Sequence, residues 1–369
     1  MKTPCTIIDL KQLRKNCEIL KSVIDKTNCK ILLALKGFST FATFNLVSQY
    51  LSGVTASSAH ETRLGHEEFN GELHCYFPAY SQEDMDFILP IADHLVFNSC
   101  SQLNTFKQQV KNHNVSFGLR VNHQYSEVKT DLYNPSAPFS RLGVTLEQLK
   151  KYDISDIDGL HFHSLCQNGA DSLERTLEAF EKQFKNYLPN LKWLNFGGGH
   201  HITRQDYDIE KLINCIDYYQ NKYNLQVILE PSEAIALNAG VLRTTVLDIV
   251  HNKMDIAILN TSPTAHMPDV LEMPYRPQII GSGKENEKQY TYRLAGVSCL
   301  SGDIIGNYSF DKKLQIGDEI DFEDMAIYTT VKQTTFNGIA LPSIALKHEN
   351  GNIEIIKEFN YQDFKGRLS

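Results

Sequence analysis

Ile31-Leu-Leu-Ala-Leu-Lys36-Gly-Phe-Ser39 is an apolar run that ends in a lysine and a glycine. An unbroken apolar run of strand length reads as a strand covered on both faces, which is the habit of parallel sheets. The lysine stands at its carboxyl end. The same alternation, a short apolar run and then a longer helical stretch, continues outward from this point. Strands are expected at 6–8, 30–34, 53–56, 73–77, 94–97, 116–121, 159–162, 193–196 and 226–229. Amphipathic helices are expected among them, at 10–24, 101–110, 172–187 and 208–223. About eight strand-then-helix units are too many for a small open sheet; they fit an α/β chain whose residues 1–236 close into a (β/α)8 TIM-type barrel. Beyond Ala236 the pattern changes to strands separated by turns, at 241–250, 256–260, 290–297, 319–322, 327–331, 343–346 and 353–356. Residues 237–369 are therefore expected to form a mostly antiparallel β domain.

The length of 369 residues suits two domains, and 42% hydrophobic with 22% charged residues suits large cores. The net charge of −8 gives no general attraction to phosphate backbones or anionic membranes, so neither nucleic acid nor membrane is an expected partner. The amino terminus, MKTPCTIIDL, lacks a long apolar segment and a small-residue cleavage site, and no run approaches the ~20 apolar residues of a membrane span. A cytoplasmic location is expected. The eight cysteines are scattered with no C-x-x-C pair, which argues for reduced thiols and against zinc.

Several strand ends carry chemistry. Lys36 would face a barrel mouth, where desolvation frees an amine to act as a nucleophile; read alone, it is also a strand-end lysine reaching water. Asn195-Phe-Gly-Gly-Gly-His-His201 places Gly197, Gly198 and Gly199 after a strand, where backbone N–H groups can approach a phosphate. It is neither a Walker A loop nor G-x-G-x-x-G. In Val227-Ile-Leu-Glu-Pro-Ser-Glu-Ala234, Glu230 ends another apolar strand, and a buried carboxylate there needs a cationic partner. His161 and His163 alternate in Gly159-Leu-His-Phe-His-Ser-Leu-Cys166 and share a face. A metal cluster with His200 and His201 is conceivable, but no acidic ligand stands beside them in sequence, so no metal is expected. Cys299 and Asp303 flank a turn in Val297-Ser-Cys-Leu-Ser-Gly-Asp303, and Tyr328 follows an acidic turn as a strand tyrosine.

In this order, over about residues 5–360, these pieces resemble the fold-type III pyridoxal-phosphate enzymes, the alanine racemase and ornithine/diaminopimelate decarboxylase superfamily. Ala34-Leu-Lys-Gly-Phe-Ser39, Asn195-Phe-Gly-Gly-Gly-His-His-Ile-Thr203, Glu230-Pro-Ser-Glu-Ala234, the 264–277 segment and Cys299-Leu-Ser-Gly-Asp303 look like the carboxynorspermidine/carboxyspermidine decarboxylase branch. The resemblance implies pyridoxal 5'-phosphate held by Lys36 as a Schiff base. It implies His163 stacked on the ring, Glu230 paired with the pyridine nitrogen, and Gly197, Gly198, Gly199 and Tyr328 on the phosphate. Arg120 and Arg141 would lie near the phenolic oxygen. Glu233, Asp269 and Asp303 would contact the substrate, and Cys299 would return a proton to Cα. Cys299 and Asp303 would reach over from a partner copy, which implies a homodimer with shared sites. The ornithine and diaminopimelate branches carry Glu-Pro-Gly-Arg, whereas Ser232 and Glu233 follow the proline here. An acid in place of that arginine favours a small cationic carboxy-polyamine substrate. The alternative is decarboxylation of another basic amino acid, such as diaminopimelate, ornithine or arginine.

Overall fold

The first expected strand forms at Cys5–Asp9 (β1), but it does not join the barrel. It lies between two strands from the far end of the chain, with Cys5 opposite Arg243 on one side and Ser343 on the other. The computed structural model describes residues 1–369 and divides into two units, Arg14–Ile235 and a second made of Met1–Leu13 with Ala236–Ser369. The expected barrel boundary at residue 1 is thus corrected: an apolar triplet says that a strand forms, not which sheet receives it.

Within Arg14–Ile235 the parallel barrel is built from β2 (Lys30–Ala34), β3 (Gly53–Ala56), β4 (Glu72–Tyr76), β5 (His94–Phe97), β6 (Ser116–Asn122), β8 (Gly159–His161), β9 (Trp193–Asn195) and β10 (Gln226–Leu229). A two-residue strand, β7 (Val144–Thr145), lies beside β6. The strands run β5-β4-β3-β2-β10-β9-β8-β6, and pairing of β5 with β6 closes the ring. Leu32, Val96, Trp193 and Ile228 pack together as one buried cluster, with Tyr76 against it. Trp193 needs room on β8: a Cβ at Gly159 would lie 2.0 Å from its ring. Its indole N–H donates to the Ser116 hydroxyl at 2.9 Å. Outside the strands, the helix Ala170–Phe184 buries Leu173, Leu177, Phe180 and Phe184, one face at helical spacing. Phe180 meets Phe162 at 4.9 Å between ring centroids, and Phe162 stacks on Phe196 at 5.7 Å. These rings fix the segments that follow β8 and β9.

The second unit holds β1 with β11 (Gly240–Asn252), β12 (Met254–Leu259), β13 (Tyr290–Ala295), β14 (Ile304–Phe310), β15 (Glu319–Glu323), β16 (Ser343–Lys347) and β17 (Ile353–Lys357). The order is β14-β13-β12-β11-β1-β16-β17, with β15 also on β11. Pairings are antiparallel except β1 with β16 and β12 with β13. Leu242, Leu259, Leu294, Tyr308 and Phe322 belong to its core. Strand β14 was not expected, because Gly306 and Asn307 lower its strand propensity; pairing along β13 overrides that. The strand expected at 327–331 is instead a turn. Tyr328 has φ 29°, and its carbonyl accepts the N–H groups of Val331 and Lys332. Those local bonds satisfy the backbone without a sheet partner. No helix is long and apolar enough to cross a membrane.

Candidate active site

Strand β2 delivers Lys36 just beyond its carboxyl end, and β8 delivers His163 just beyond its own. The Lys36 Nζ is 3.5 Å from His163 Nε2. Burial drives the Lys36 amine below its ordinary pKa, and the Arg120 guanidinium pushes the same way against Glu230 and Glu61. A neutral amine is the form that attacks a carbonyl carbon. The Gly198 N–H donates to His163 Nδ1 at 3.1 Å. A nitrogen that accepts carries no proton, so the neutral ring holds its proton on Nε2, facing Lys36. Burial, with Lys36 and Arg120 adding to it, pushes the His163 pKa well below the usual histidine value.

Arg120, on β6 and buried, donates from Nη2 to the His163 carbonyl at 2.9 Å. Its guanidinium lies 4.8 Å from the centre of the Tyr76 ring. The Tyr76 hydroxyl donates to Asn98 Oδ1 at 2.8 Å, and Asn98 Nδ2 donates to the Arg141 carbonyl at 2.8 Å. Arg141 is therefore fixed through its backbone, and the residue itself is exposed.

Glu230 directly follows β10 and is 6% exposed. Asn195 Nδ2 donates to its Oε1 at 2.7 Å, and His161 Nε2 lies 3.4 Å from Oε2. Burial alone would raise this carboxyl; the neighbouring imidazole and the Asn195 amide outweigh it and hold the pKa below the usual range. The result is an anionic carboxylate at the barrel's carboxyl end. His161, His163 and Glu230 offer ligand atoms within 4.8 Å of one another. The acid that the sequence did not place beside the H-x-H strand is thus Glu230, yet both His163 nitrogens already face partners, Gly198 and Lys36. His200 and His201 do not join them. His200 Nδ1 meets the Tyr207 hydroxyl at 2.7 Å, and His201 Nε2 is 3.0 Å from Glu233. A second such group, Glu72, His74 and His94, has its imidazoles stacked at 4.0 Å and 5°. Parallel rings one above the other cannot aim in-plane lone pairs at a single ion.

The glycine loop hangs on this frame. Gly197 and Gly199 have φ 68° and 86°. A Cβ at Gly198 would lie 2.1 Å from the Glu230 carbonyl, and one at Gly199 1.8 Å from the Leu165 carbonyl. No larger residue fits at either position, and the His163 Nδ1 bond holds the Gly198 N–H. Asn195 Oδ1 accepts the Gly197 N–H at 2.8 Å, so one amide ties the loop to Glu230. Glu233 is held nearby in sequence by Gln167 Nε2 at 2.9 Å and by His201.

Sequence reasoning passed over Asn195, Tyr76, Asn98 and Glu61. Asn195 opened the quoted glycine string, and only its partners reveal its role. Glu61 accepts the Ser57 N–H at 2.7 Å, and burial raises its carboxyl pKa against that bond and the charge of Lys36. Its signal is an acid three residues after the helix cap Ser58, past the end of β3.

In the sheet unit, Cys299 is exposed on the loop between β13 and β14. Asp303 is 2% exposed. Its Oδ1 accepts from the Ser262 hydroxyl, the Thr264 N–H and the Thr264 hydroxyl, each at 2.9 Å, and its Oδ2 accepts the Ser298 N–H at 3.0 Å. Its lone pairs thus serve its own chain, and the substrate contact that the resemblance implies for Asp303 would have to displace one of these donors. Asp269 is bonded to the Lys332 ammonium, which Glu272 also accepts at 2.6 Å. Lys332 in turn follows the Tyr328 turn and bonds to its carbonyl.

Residues 8–326 match the family model described as pyridoxal-dependent decarboxylase, C-terminal sheet domain. The chain is 43% identical over its whole length to a carboxynorspermidine/carboxyspermidine decarboxylase of Campylobacter jejuni subsp. jejuni, covering 98% of that protein. It is also 43% identical over its whole length to a carboxyaminopropylagmatine decarboxylase of a Synechocystis species, covering 96% of it. The crystal structure of carboxynorspermidine decarboxylase complexed with norspermidine from Campylobacter jejuni superposes with a TM-score of 0.94 at 41% identity, all of both chains being covered. With a family model over most of its residues and relatives this similar from end to end, the chain belongs to the pyridoxal-dependent decarboxylases, in the group that includes the carboxynorspermidine/carboxyspermidine enzymes.

Proposed function

We propose that the protein decarboxylates carboxynorspermidine and/or carboxyspermidine to norspermidine or spermidine, with pyridoxal 5'-phosphate at the barrel's carboxyl end. The observation that carries this reading is the charge pattern of one barrel end. A lysine is held toward its neutral form, a buried glutamate is held anionic, and a second acid, Glu233, follows the Glu-Pro turn.

The residues present fit the cofactor. In the glycine loop the Gly197 and Gly198 N–H groups are held by Asn195 Oδ1 and His163 Nδ1, so a phosphate there would be met by the Gly199 N–H or would take the place of one of those acceptors. His163 offers a neutral flat ring, and Glu230 offers an anion for a protonated ring nitrogen. When bound, the cofactor supplies an electron sink for the carbon that loses carbon dioxide. Lys36 contributes the lone pair on Nζ. Glu230 keeps a proton at the ring nitrogen, while Asn195 and His161 keep Glu230 in place. Arg120 fixes the His163 backbone. Once the bond from Cα to the carboxylate has broken and carbon dioxide has left, a proton passes from Cys299 Sγ to Cα, with the thiol supplied across a homodimer. Glu233 and Asp269 are the proposed acceptors for ammonium groups of the substrate; Asp269 must exchange Lys332 for that ammonium.

A steady-state panel tests the substrate. Carbon dioxide release is expected from carboxynorspermidine and carboxyspermidine, the two differing by no more than about 10–200-fold because one methylene separates them. Diaminopimelate and ornithine are expected to be poor. Carboxyaminopropylagmatine belongs in the panel because the Synechocystis relative is equally similar. No release from either carboxy-triamine would end the proposal. Glu233→Gln is expected to raise KM for the carboxy-triamines about 10–100-fold, the worth of one charged hydrogen bond, with kcat changed far less. An unchanged KM would remove Glu233 from the substrate site.

A further inference from the structure

We propose that Asp303 and Asn337 are positioning residues that fix the Cys299 thiol for proton delivery; the inference rests on the assignment of Cys299 as proton donor. The cysteine sits at the exposed tip of the loop that joins β13 to β14. A thiol on a free loop tip would wander, and proton transfer tolerates little wandering: a misplacement of ~1 Å can cost about 100-fold in rate. Here two consecutive backbone N–H groups at the tip are held by side chains from different parts of the sheet unit. Ser298 N–H donates to Asp303 Oδ2 at 3.0 Å, and Cys299 N–H donates to Asn337 Oδ1 at 2.8 Å.

The Asp303 end of the clamp is rigid. Its other oxygen takes the Ser262 and Thr264 donors, and the Gly296 N–H donates to its backbone carbonyl at 2.7 Å. A Cβ at Gly296 would lie 2.2 Å from Asp303 Oδ2, so the loop enters through a glycine that leaves room for the carboxylate. The Asn337 end is different in kind. Asn337 is exposed and adopts φ 55°, the left-handed conformation that asparagine tolerates better than most residues. An exposed side chain bonded to one N–H adds little to stability. What that bond does is hold the cysteine's own backbone from outside the loop.

A double-mutant cycle on the holoenzyme tests the clamp through Asn337, because Asp303→Ala would strand buried donors and unfold the region. Asn337→Ala is expected to lower kcat about 10–100-fold with KM and thermal midpoint unchanged, and to add no further loss in a Cys299→Ala background. Asn337→Asp keeps an acceptor oxygen and is expected to restore most of kcat. An equal loss from Asn337→Ala with and without Cys299, or no loss at all, would overturn the clamp. Full activity of Cys299→Ala alone would instead overturn the assignment of the thiol, and the clamp with it, which separates the two failures.

Discussion

Lys36→Ala is expected to lower carbon dioxide release by at least about 10³-fold, within the range that one positioned proton-transfer or nucleophilic group supplies, without unfolding the barrel. The loss follows from position. Nζ is the amine beside His163 at the carboxyl end of β2, and Glu230 supplies charge but cannot supply an amine. Stability should hold or rise for a reason with a definite sign. The folded state depresses the lysine's pKa, so at neutral pH the unfolded chain binds a proton more readily than the folded one. That cost applies below the ordinary lysine value and fades as pH rises through it. Alanine removes the cost and the repulsion from Arg120. Measured side by side, decarboxylation should vanish, the thermal midpoint at neutral pH should not fall, and borohydride should no longer fix the cofactor to the chain. Activity within tenfold of the parent would refute the role given to this amine.

Glu230→Gln is expected to lower kcat by about 10²–10³-fold, the usual effect of removing one preorganised electrostatic group from a dry site. Glutamine keeps an oxygen for Asn195 Nδ2, so the hydrogen bond at 2.7 Å and the glycine loop tied to Asn195 both survive. Only the negative charge goes. The stability consequence has the opposite sign to that of Lys36. The folded state depresses this carboxyl's pKa, so the ionised form stabilises the protein above the ordinary carboxylate value of 4.5, and that contribution disappears as pH falls through the lower folded value. The gap in thermal midpoint between parent and variant should therefore be open at pH 7 and narrow on acidification below 4.5. A gap independent of pH would mean that Glu230 acts through shape and not charge.

The barrel was legible because parallel strands buried on both faces are written as uninterrupted apolar runs, and because Lys36 and Glu230 directly follow such runs. The sheet unit was less so. Gly306 and Asn307 hid β14, and the β-branched residues at 327–331 imitated a strand that local turn bonds prevent. Site residues whose role comes from remote partners were silent in the same way. Tyr76 acquires its setting from Arg120 and Asn98, and Asn195 from Glu230. The partners of the aspartates that the resemblance assigned to the substrate were silent too: Asp303 bonds within its own loop, and Asp269 to the ammonium of Lys332.

The placement of β1 sets the order in which the molecule can be finished. Everything in Arg14–Ile235 is contiguous, so an emerging chain holds the whole barrel well before Ser343–Lys347 is made. Cys5 must wait for Ser343. Until Ser343–Lys347 has been made, Cys5–Asp9 has no neighbour on that side, so this strand is locked on both edges only late.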